Sequence, residues 1–123
     1  MTRLTLRLDF PDHPALGPGK IRLLELIGEH GSISAAGRAM GMSYRRAWLL
    51  VDELNRTFRQ PAVASKAGGV RGGGAELTAW GRELVAAYRR IEAEAVRAAA
   101  GPLALLEGEL SADGGLPGVE HPL

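Results

Sequence analysis

Apolar and polar residues alternate at the start of the chain, and the pattern then changes to helical spacing. Residues 4–10 alternate without a break, which predicts a strand with one buried face. Residues 11–19 contain three prolines and two glycines and are typical of a loop. Apolar residues at helical spacing then predict a first helix from about residue 19 or 20 to residue 29, ended by His30-Gly31.

Two further helices are predicted within residues 31–55. Ser34 precedes the run 35–40 and Ser43 precedes the run 44–55, so each serine can accept hydrogen bonds from the first helical turn. Gly41 lies between the runs and allows a left-handed backbone conformation at little cost. This order predicts a helix-turn-helix.

The second of these helices has one face for the core and one for solvent. Its apolar face comprises Ala47, Leu50, Val51 and Leu54. Its first turn leaves Ser43, Tyr44, Arg45 and Arg46. Adjacent arginines on a helix are commonly a solvated surface pair. Here they follow a glycine turn and a serine cap, which favours contact with base edges in the major groove, where Arg can hold guanine by two hydrogen bonds.

A glycine-rich hairpin follows this helix. Residues 62–66 and 75–78 are two short extended pieces on either side of the glycine-rich segment 67–74, which predicts a wing with Lys66 and Arg71 facing phosphates. Glycine-rich loops also bind nucleotide phosphates. That alternative requires a helix directly after the glycines and, in the P-loop, a GK[ST] sequence, which is missing here.

Thr78 precedes a long helix predicted from residue 79 to about residue 100. Its apolar stripe extends beyond the small domain before it, so we expect a second copy of the chain to cover the stripe. The predicted dimer contacts are Leu84, Val85, Tyr88, Ile91 and Ala95. The alternative is a helix that folds back onto its own domain. From residue 101 the pattern indicates at most a short helix over 103–110, followed by a flexible acidic end.

Composition restricts the classes of function. The 46% hydrophobic and 24% charged residues are typical of an ordered soluble protein. The absence of cysteine excludes disulfides, cysteine metal sites and thiol nucleophiles. We expect a cytoplasmic chain with no membrane span, no cofactor, no metal and no enzymatic activity. His30 could bind metal or transfer protons, but beside a helix-ending glycine it more simply caps carbonyls.

Charge is unevenly distributed along the chain. The formal net charge is only +1, but residues 34–71 contain seven basic and two acidic residues, whereas the segment from residue 101 has four acidic and no basic ones. Local positive potential governs phosphate binding. The basic segment therefore predicts a nucleic-acid partner, with Arg38 and Arg56 as additional phosphate contacts; chance clustering in an arginine-rich chain is the alternative.

Several short motifs occur together at specific spacing. They are Gly31-Ser32-Ile33-Ser34, Ala36, Gly41, Ser43-Tyr44, Ala47-Trp48, Glu53-Leu54-Asn55, Gly68-Gly69, Gly72-Gly73-Gly74-Ala75, Leu77-Thr78 and Gly81. In this combination, over about residues 4–100, the chain resembles the amino-terminal winged-helix domain of ModE-type molybdate-responsive transcription regulators, a relative of the LysR-type DNA-binding domain.

The resemblance implies a homodimeric regulator that binds double-stranded DNA. It further implies that the long helix forms the dimer contact and that the amino-terminal strand joins the wing sheet. In that family a separate carboxyl-terminal domain of small β-barrel type senses the oxyanion. Because about 23 residues follow Ala100, we expect this chain not to bind molybdate or tungstate directly, and a separate effector-sensing protein is a candidate partner. Trp48 fits the family pattern and is equally compatible with core packing.

The predicted fold is mainly α with a small antiparallel β wing. Residues 1–78 would form a winged helix-turn-helix, 79–100 a dimerisation helix, and 101–123 a short helix and acidic tail. The predicted function is sequence-specific DNA binding, with the recognition helix 43–56 in the major groove and the wing 62–77 on the backbone or minor groove. The alternative is a winged-helix module that docks an acidic protein without binding DNA.

Overall fold

The structure is a computed structural model that describes residues 2–66 and 73–114. The mainly helical chain carries one two-stranded antiparallel sheet, the arrangement expected for a winged helix followed by a long helix. In chain order the elements are α1 (Pro18–His30), α2 (Ile33–Ala39), α3 (Tyr44–Thr57), β1 (Val63–Lys66), β2 (Gly74–Leu77), α4 (Ala79–Ala98) and α5 (Ala100–Gly108). No helix in the described ranges combines the length and the apolar character needed to cross a membrane.

Helix α1 lies at the centre of the core. Five of its apolar side chains are buried, and it packs against α2, α3, α4 and β2. Proline at the first helical position favours its start. Gly31 ends it with φ of 74°, and its N–H donates to the carbonyl of Ile27 at 2.8 Å. Helix α1 therefore supports both the helix-turn-helix and the hairpin by packing against them.

The hairpin and α4 are joined through Thr78 and Gly81. In the sheet, Val63 pairs with Leu77 and Lys66 pairs with Gly74. The Thr78 hydroxyl donates to the carbonyl of Pro61 at 2.6 Å and accepts the N–H of Gly81 at 2.9 Å, which caps α4 as the sequence predicts. A Cβ on Gly81 would overlap the backbone carbonyl of Ala62. Only glycine therefore permits this approach of α4 to the hairpin.

The predicted amino-terminal strand is wrong within the described residues. Residues 4–10 do not belong to the wing sheet, which has two strands, and their ladder is limited to one antiparallel bridge between Leu8 and Leu16. The Tyr88 hydroxyl donates to the carbonyl of Leu6 at 2.6 Å. The alternating side chains instead pack on α4 and on the aromatic pair Phe58 and Trp80. The alternation therefore predicted a half-buried segment correctly but did not predict which residues it pairs with.

An ion-pair cluster connects α1 to α4. Arg89 donates to both carboxylate oxygens of Glu25, at 2.8 and 3.1 Å, and to Glu92 at 2.7 Å. The hydrogen bonds from Arg89 lower the pKa of Glu25 below its usual value, against the opposing effect of partial burial, and Arg22 contributes in the same direction. The same contacts raise the pKa of Arg89. The cluster fixes the angle at which α4 leaves the core.

Candidate nucleic-acid interface

Serine caps and glycines form the helix-turn-helix. The Ser43 hydroxyl accepts the N–H of Arg46 at 3.1 Å, which confirms the predicted cap of α3. For α2 the predicted cap Ser34 is wrong: Ser32 holds the cap position and accepts the N–H of Ala35 at 3.0 Å. Gly41 has the expected left-handed conformation, with φ of 71°.

Helix α3 has a buried face, and its exposed residues point in different directions around the helix. Ala47, Val51 and Leu54 are buried, and Leu50 is partly buried against the same core. At about 100° per residue, Arg45 lies nearly opposite this buried face, whereas Arg46 is rotated by a further 100° toward α1. The side chains of Arg45 and Arg46 therefore point in different directions, although the two residues are adjacent in the sequence.

A groove lies between α3 and the hairpin on one flank of Arg45. It has a volume of about 340 Å³ and opens to solvent. Tyr44 and Trp48 line it from α3, Ser34 from α2, and Ser65 and Gly74 from the hairpin. The exposed fractions of Tyr44 and Trp48 are 57% and 46%. Of the two interpretations of Trp48, core packing is thus wrong, because this ring faces the groove.

Arg46 borders a different hollow on the opposite flank. This hollow of about 380 Å³ is lined by Arg7, Lys20 and Arg46 together with the start of α1. Lys20 forms an ion pair with Glu53 of α3, and Arg7 pairs with Asp9 at 2.7 Å. Arg46 has no ion-pair partner among the described residues. Its guanidinium is therefore the unneutralised cation on this flank.

The basic residues differ in whether a carboxylate neutralises them. Within residues 33–66, five of the six Lys and Arg side chains have no ion pair to a described residue, compared with three of the eight in the other described segments. The five are Arg38, Arg45, Arg46, Arg59 and Lys66, and all are exposed. The exception is Arg56, which pairs with Asp52 at 2.7 Å. Unneutralised charge is thus concentrated around α2, α3 and the hairpin.

One predicted phosphate contact, Arg38, lies at the rim of the groove, whereas Lys66 borders a separate hollow that Gly28 and Arg82 also line. The guanidinium of Arg38 donates to the Ser34 hydroxyl at 2.8 Å, and Ser34 lines the groove. Lys66 is exposed at the end of β1. Arg71 lies outside the described residues. The structure therefore brings Ser43, Tyr44 and Arg45 together at the start of α3, with Arg38 beside the groove and Lys66 on the hairpin away from it.

Asn55 attaches α3 to the hairpin, a role that the sequence analysis missed. Its Oδ1 accepts the N–H groups of Ala62 and Val63 at 2.8 and 3.1 Å, and its Nδ2 donates to the carbonyl of Val63 at 3.1 Å. On the other side of the hairpin, the N–H of Ala75 donates to the carbonyl of Gly31 at 2.9 Å. The only signal in the sequence was an amide side chain in the last turn of a helix that precedes an extended segment.

The predicted dimer contacts require a correction. Leu84 and Tyr88 are 4% and 1% exposed and belong to the core of their own chain, so their side chains are not accessible to a second copy. Val85 also packs partly against this core. Ile91 is exposed and Ala95 is partly exposed. The alternative of a helix folded onto its own domain thus holds for the first half of α4.

Large exposed apolar side chains occur on two surfaces of the described chain. Eight such residues are present. Tyr44, Trp48 and Leu49 lie on α3, whereas Ile91, Val96, Leu105, Leu106 and Leu110 lie on the second half of α4, on α5 and directly after it. Helix α5 begins at Ala100 instead of the predicted residue 103 and buries none of its side chains.

The described side chains include no cluster of three or more His, Asp or Glu residues placed to hold a metal ion. His30 lies exposed in the last turn of α1, in the position expected for a residue near helix carbonyls. The chemistry that this surface supports is therefore hydrogen bonding and charge, from exposed hydroxyl, guanidinium and ammonium groups around two exposed aromatic rings.

Curated relatives share extensive sequence with this chain. It is 42% identical over 99 residues to the molybdenum-pterin-binding protein MopA of Rhodobacter capsulatus, which covers 80% of this chain and 36% of the relative. It is 43% identical over 89 residues to the molybdenum transport protein ModE of Azotobacter vinelandii, which covers 72% and 33%. No protein-family model matches the chain.

A third relative carries a function in its name. The DNA-binding transcriptional dual regulator ModE of Escherichia coli strain K12 is 39% identical over 71 residues, or 58% of this chain and 27% of the relative. The chain thus spans about a third of the length of the curated relatives it matches. These similarities support the resemblance to ModE-type proteins drawn from the sequence.

Proposed function

We propose that this chain is a ModE-type transcription regulator that binds double-stranded DNA with α3 in the major groove. One observation carries the proposal: the outward side of α3 is exposed beside a hairpin and surrounded by cations that no described carboxylate neutralises. An α-helix fits the major groove, and unneutralised Lys and Arg gain most from phosphates. The E. coli relative's name, a DNA-binding transcriptional regulator, supports this function.

The residues around α3 would have different roles. Arg45 points most directly outward and would hold guanine, with Ser43 and Tyr44 beside it. Arg46 and Lys66, on opposite flanks, would contact phosphates, and Arg38 would do so from α2. Arg56 is a weaker candidate because Asp52 already pairs with it. Arg71 is retained as a wing contact on the sequence argument alone.

We further propose that two copies associate through the second half of α4 and α5. The apolar side chains exposed there are Ile91, Val96, Leu105, Leu106 and Leu110. Contiguous exposed apolar surface commonly marks a protein interface. A two-fold dimer would place two recognition helices on half-sites about 34–36 Å apart. This proposal keeps Ile91 and Ala95 from the predicted contact set and omits Leu84 and Tyr88.

The relatives' names connect the proposed regulation with molybdenum. MopA is named for binding molybdenum-pterin and the Azotobacter protein for molybdenum transport; neither name describes an enzyme. We propose that the described residues supply DNA binding and self-association in the cytoplasm, without catalysis. The molybdenum-dependent signal would enter outside the described residues, with a separate effector-sensing protein as one candidate source, and molybdate would not bind the described residues directly.

The experiment that tests DNA binding compares two polyanions. Fluorescence anisotropy of the full chain with a labelled random-sequence duplex, at 50 and 200 mM salt, should show binding that weakens steeply with salt. Poly-glutamate of the same total charge serves as the acidic-protein comparison. Binding to poly-glutamate but not to duplex would contradict DNA binding and support the module that docks an acidic protein.

Self-association is tested independently of DNA. Sedimentation equilibrium should give a dimer for the wild-type chain and a monomer for the double variant Leu105→Glu/Leu106→Glu. Tyr44→Glu, which places one charge on the exposed face of α3, is the control and should remain dimeric. A monomeric wild-type chain at concentrations of about 100 μM would contradict the dimer.

A further inference from the structure

Three large apolar side chains on the outward side of α3 are exposed. Tyr44, Trp48 and Leu49, here called the apolar patch, are 57%, 46% and 46% exposed. Tyr44 and Trp48 are four residues apart and lie on one flank of the helix. Leu49 lies on the other side of Arg45 at about 40° from it.

The surroundings of the patch indicate which partner would cover it. Arg45 lies between Trp48 and Leu49 around the helix, and Arg38 and Arg46 are nearby cations that no described carboxylate neutralises. A second copy docked here by two-fold symmetry would bring these like charges together, which is unfavourable. A wholly apolar partner would leave the arginines without counter-charge. The partner must combine anionic groups with apolar ones at a spacing of a few ångströms.

Duplex DNA has that combination in its major groove. Its phosphates lie along the edges of the groove, and the large apolar group on the groove floor is the C5-methyl of thymine. The geometry points to a role of the apolar patch in recognising thymine methyl groups on either side of the base that Arg45 contacts. This inference rests on the proposed function and adds to it the base type that Trp48 and Leu49 select.

The positions of Trp48 and Leu49 on α3 also predict where thymine is selected in the binding site. The carbon atoms of an indole ring or of a leucine side chain gain from contact with a methyl group and not from the amino or keto groups of other bases, although the indole Nε1–H can also donate to a base acceptor. Trp48 borders the groove beside the hairpin, so its thymine lies toward the wing, whereas that of Leu49 lies on the opposite side. Binding sites should therefore carry thymine at two positions that flank the position read by Arg45.

The experiment removes single methyl groups from DNA. The full wild-type chain is first used to select duplexes from a random library. Each thymine of the best duplex is then replaced in turn by deoxyuridine, which lacks only the C5-methyl group. At one position or more the wild-type affinity should fall roughly three- to tenfold. Trp48→Ala or Leu49→Ala should bind the thymine and deoxyuridine duplexes equally at its own position, and Trp48→Phe should restore part of the difference.

The possible outcomes separate this inference from the proposed function. If deoxyuridine has no effect at any position while the duplex still binds tightly, the inference is overturned and DNA binding stands. It is also overturned if the methyl effect persists in both alanine variants, or if Trp48→Ala changes the oligomeric state. If the wild-type chain binds no duplex, the proposed function fails and the inference fails with it. Because both side chains are exposed, circular dichroism should show that the variants fold normally.

Discussion

Asn55 in the last turn of α3 and Val63 at the start of β1 exchange two hydrogen bonds. The N–H of Val63 donates to Oδ1 and Nδ2 donates back to the carbonyl of Val63, both at 3.1 Å. A third bond comes from the N–H of Ala62, at 2.8 Å. The proposed recognition helix and the hairpin are therefore joined by one side chain, which also lines the groove between them.

Replacing Asn55 should uncouple the two elements. Asn55→Ala leaves the N–H groups of Ala62 and Val63 unpaired where both residues are buried, so it should lower the free energy of unfolding by about 2–4 kcal/mol. Asn55→Asp keeps both acceptor bonds and loses the donor bond, so we expect an intermediate loss. Urea denaturation at pH 7 measures both. Equal losses for the two variants would show that the acceptor bonds are unimportant.

The directions of Arg45 and Arg46 predict different defects in DNA binding. Arg45→Ala should weaken binding to a selected duplex by about 1–3 kcal/mol and change random duplex much less, because a base contact is lost. Arg46→Ala should weaken both duplexes similarly and reduce the salt slope by about one, because a phosphate contact is lost. Competition titrations at several salt concentrations measure these quantities.

The matched control for the two arginines is Arg90→Ala. Arg90 is exposed on α4 and pairs with Glu94 at 3.0 Å, so its removal changes the net charge by the same amount at a site away from α3. It should leave both affinities nearly unchanged. Identical defects for Arg45→Ala and Arg46→Ala would contradict the assignment of one to bases and the other to phosphates.

Gly81 should tolerate no side chain. A methyl group there would overlap the carbonyl of Ala62, and because that neighbour is backbone, α4 would have to move away from the hairpin. We expect Gly81→Ala to destabilise the chain by about 3 kcal/mol. Gly19→Ala is the control, because nothing lies within 4 Å of the added carbon in the first turn of α1. Thermal unfolding should show a large loss for the first variant and no loss for the second.

The Glu25–Arg89 pair should make part of the stability dependent on pH. The folded-state pKa of Glu25 is lowered from its usual value of 4.5. Its contribution is therefore complete above pH 4.5 and disappears as the pH falls through the lower, folded-state value. Glu25→Gln should cost stability at pH 7 and little at pH 2 to 3. In an Arg89→Met background, the stability lost through Glu25→Gln should depend less on pH. Denaturant titrations at both pH values measure these losses. A loss that is the same at both pH values in the wild-type background would contradict the prediction.

Sequence reasoning succeeded where the signal is local. Ser43 and Thr78 cap their helices, and Gly41 takes the left-handed conformation between α2 and α3. Each of these features depends on the chemistry of one residue and its immediate neighbours. The outward position of Arg45 also follows from spacing, because the buried residues of α3 recur at helical intervals on the opposite face.

Two of the errors concern partners that are distant in sequence, and a third is a choice between two neighbouring serines. Alternation in residues 4–10 identified a half-buried segment, but not its single bridge to Leu16 or the hydrogen bond that Leu6 accepts from Tyr88, more than 80 positions away. The apolar stripe of α4 showed that Leu84 and Tyr88 would be buried without showing whether by the same chain or another. Ser32 and Ser34 are both adequate caps, and only the backbone path beyond Gly31 decides between them.

Protection of guanine N7 from methylation by dimethyl sulfate tests the central claim most directly, because N7 lies in the major groove. With a selected duplex, the wild-type chain should protect at least one guanine in each half-site. Arg45→Ala should lose that protection at concentrations that still saturate the duplex, whereas Arg46→Ala should keep it. Bound duplex whose guanines all remain reactive, or whose protection is unaffected by Arg45→Ala, would contradict the placement of α3 in the major groove.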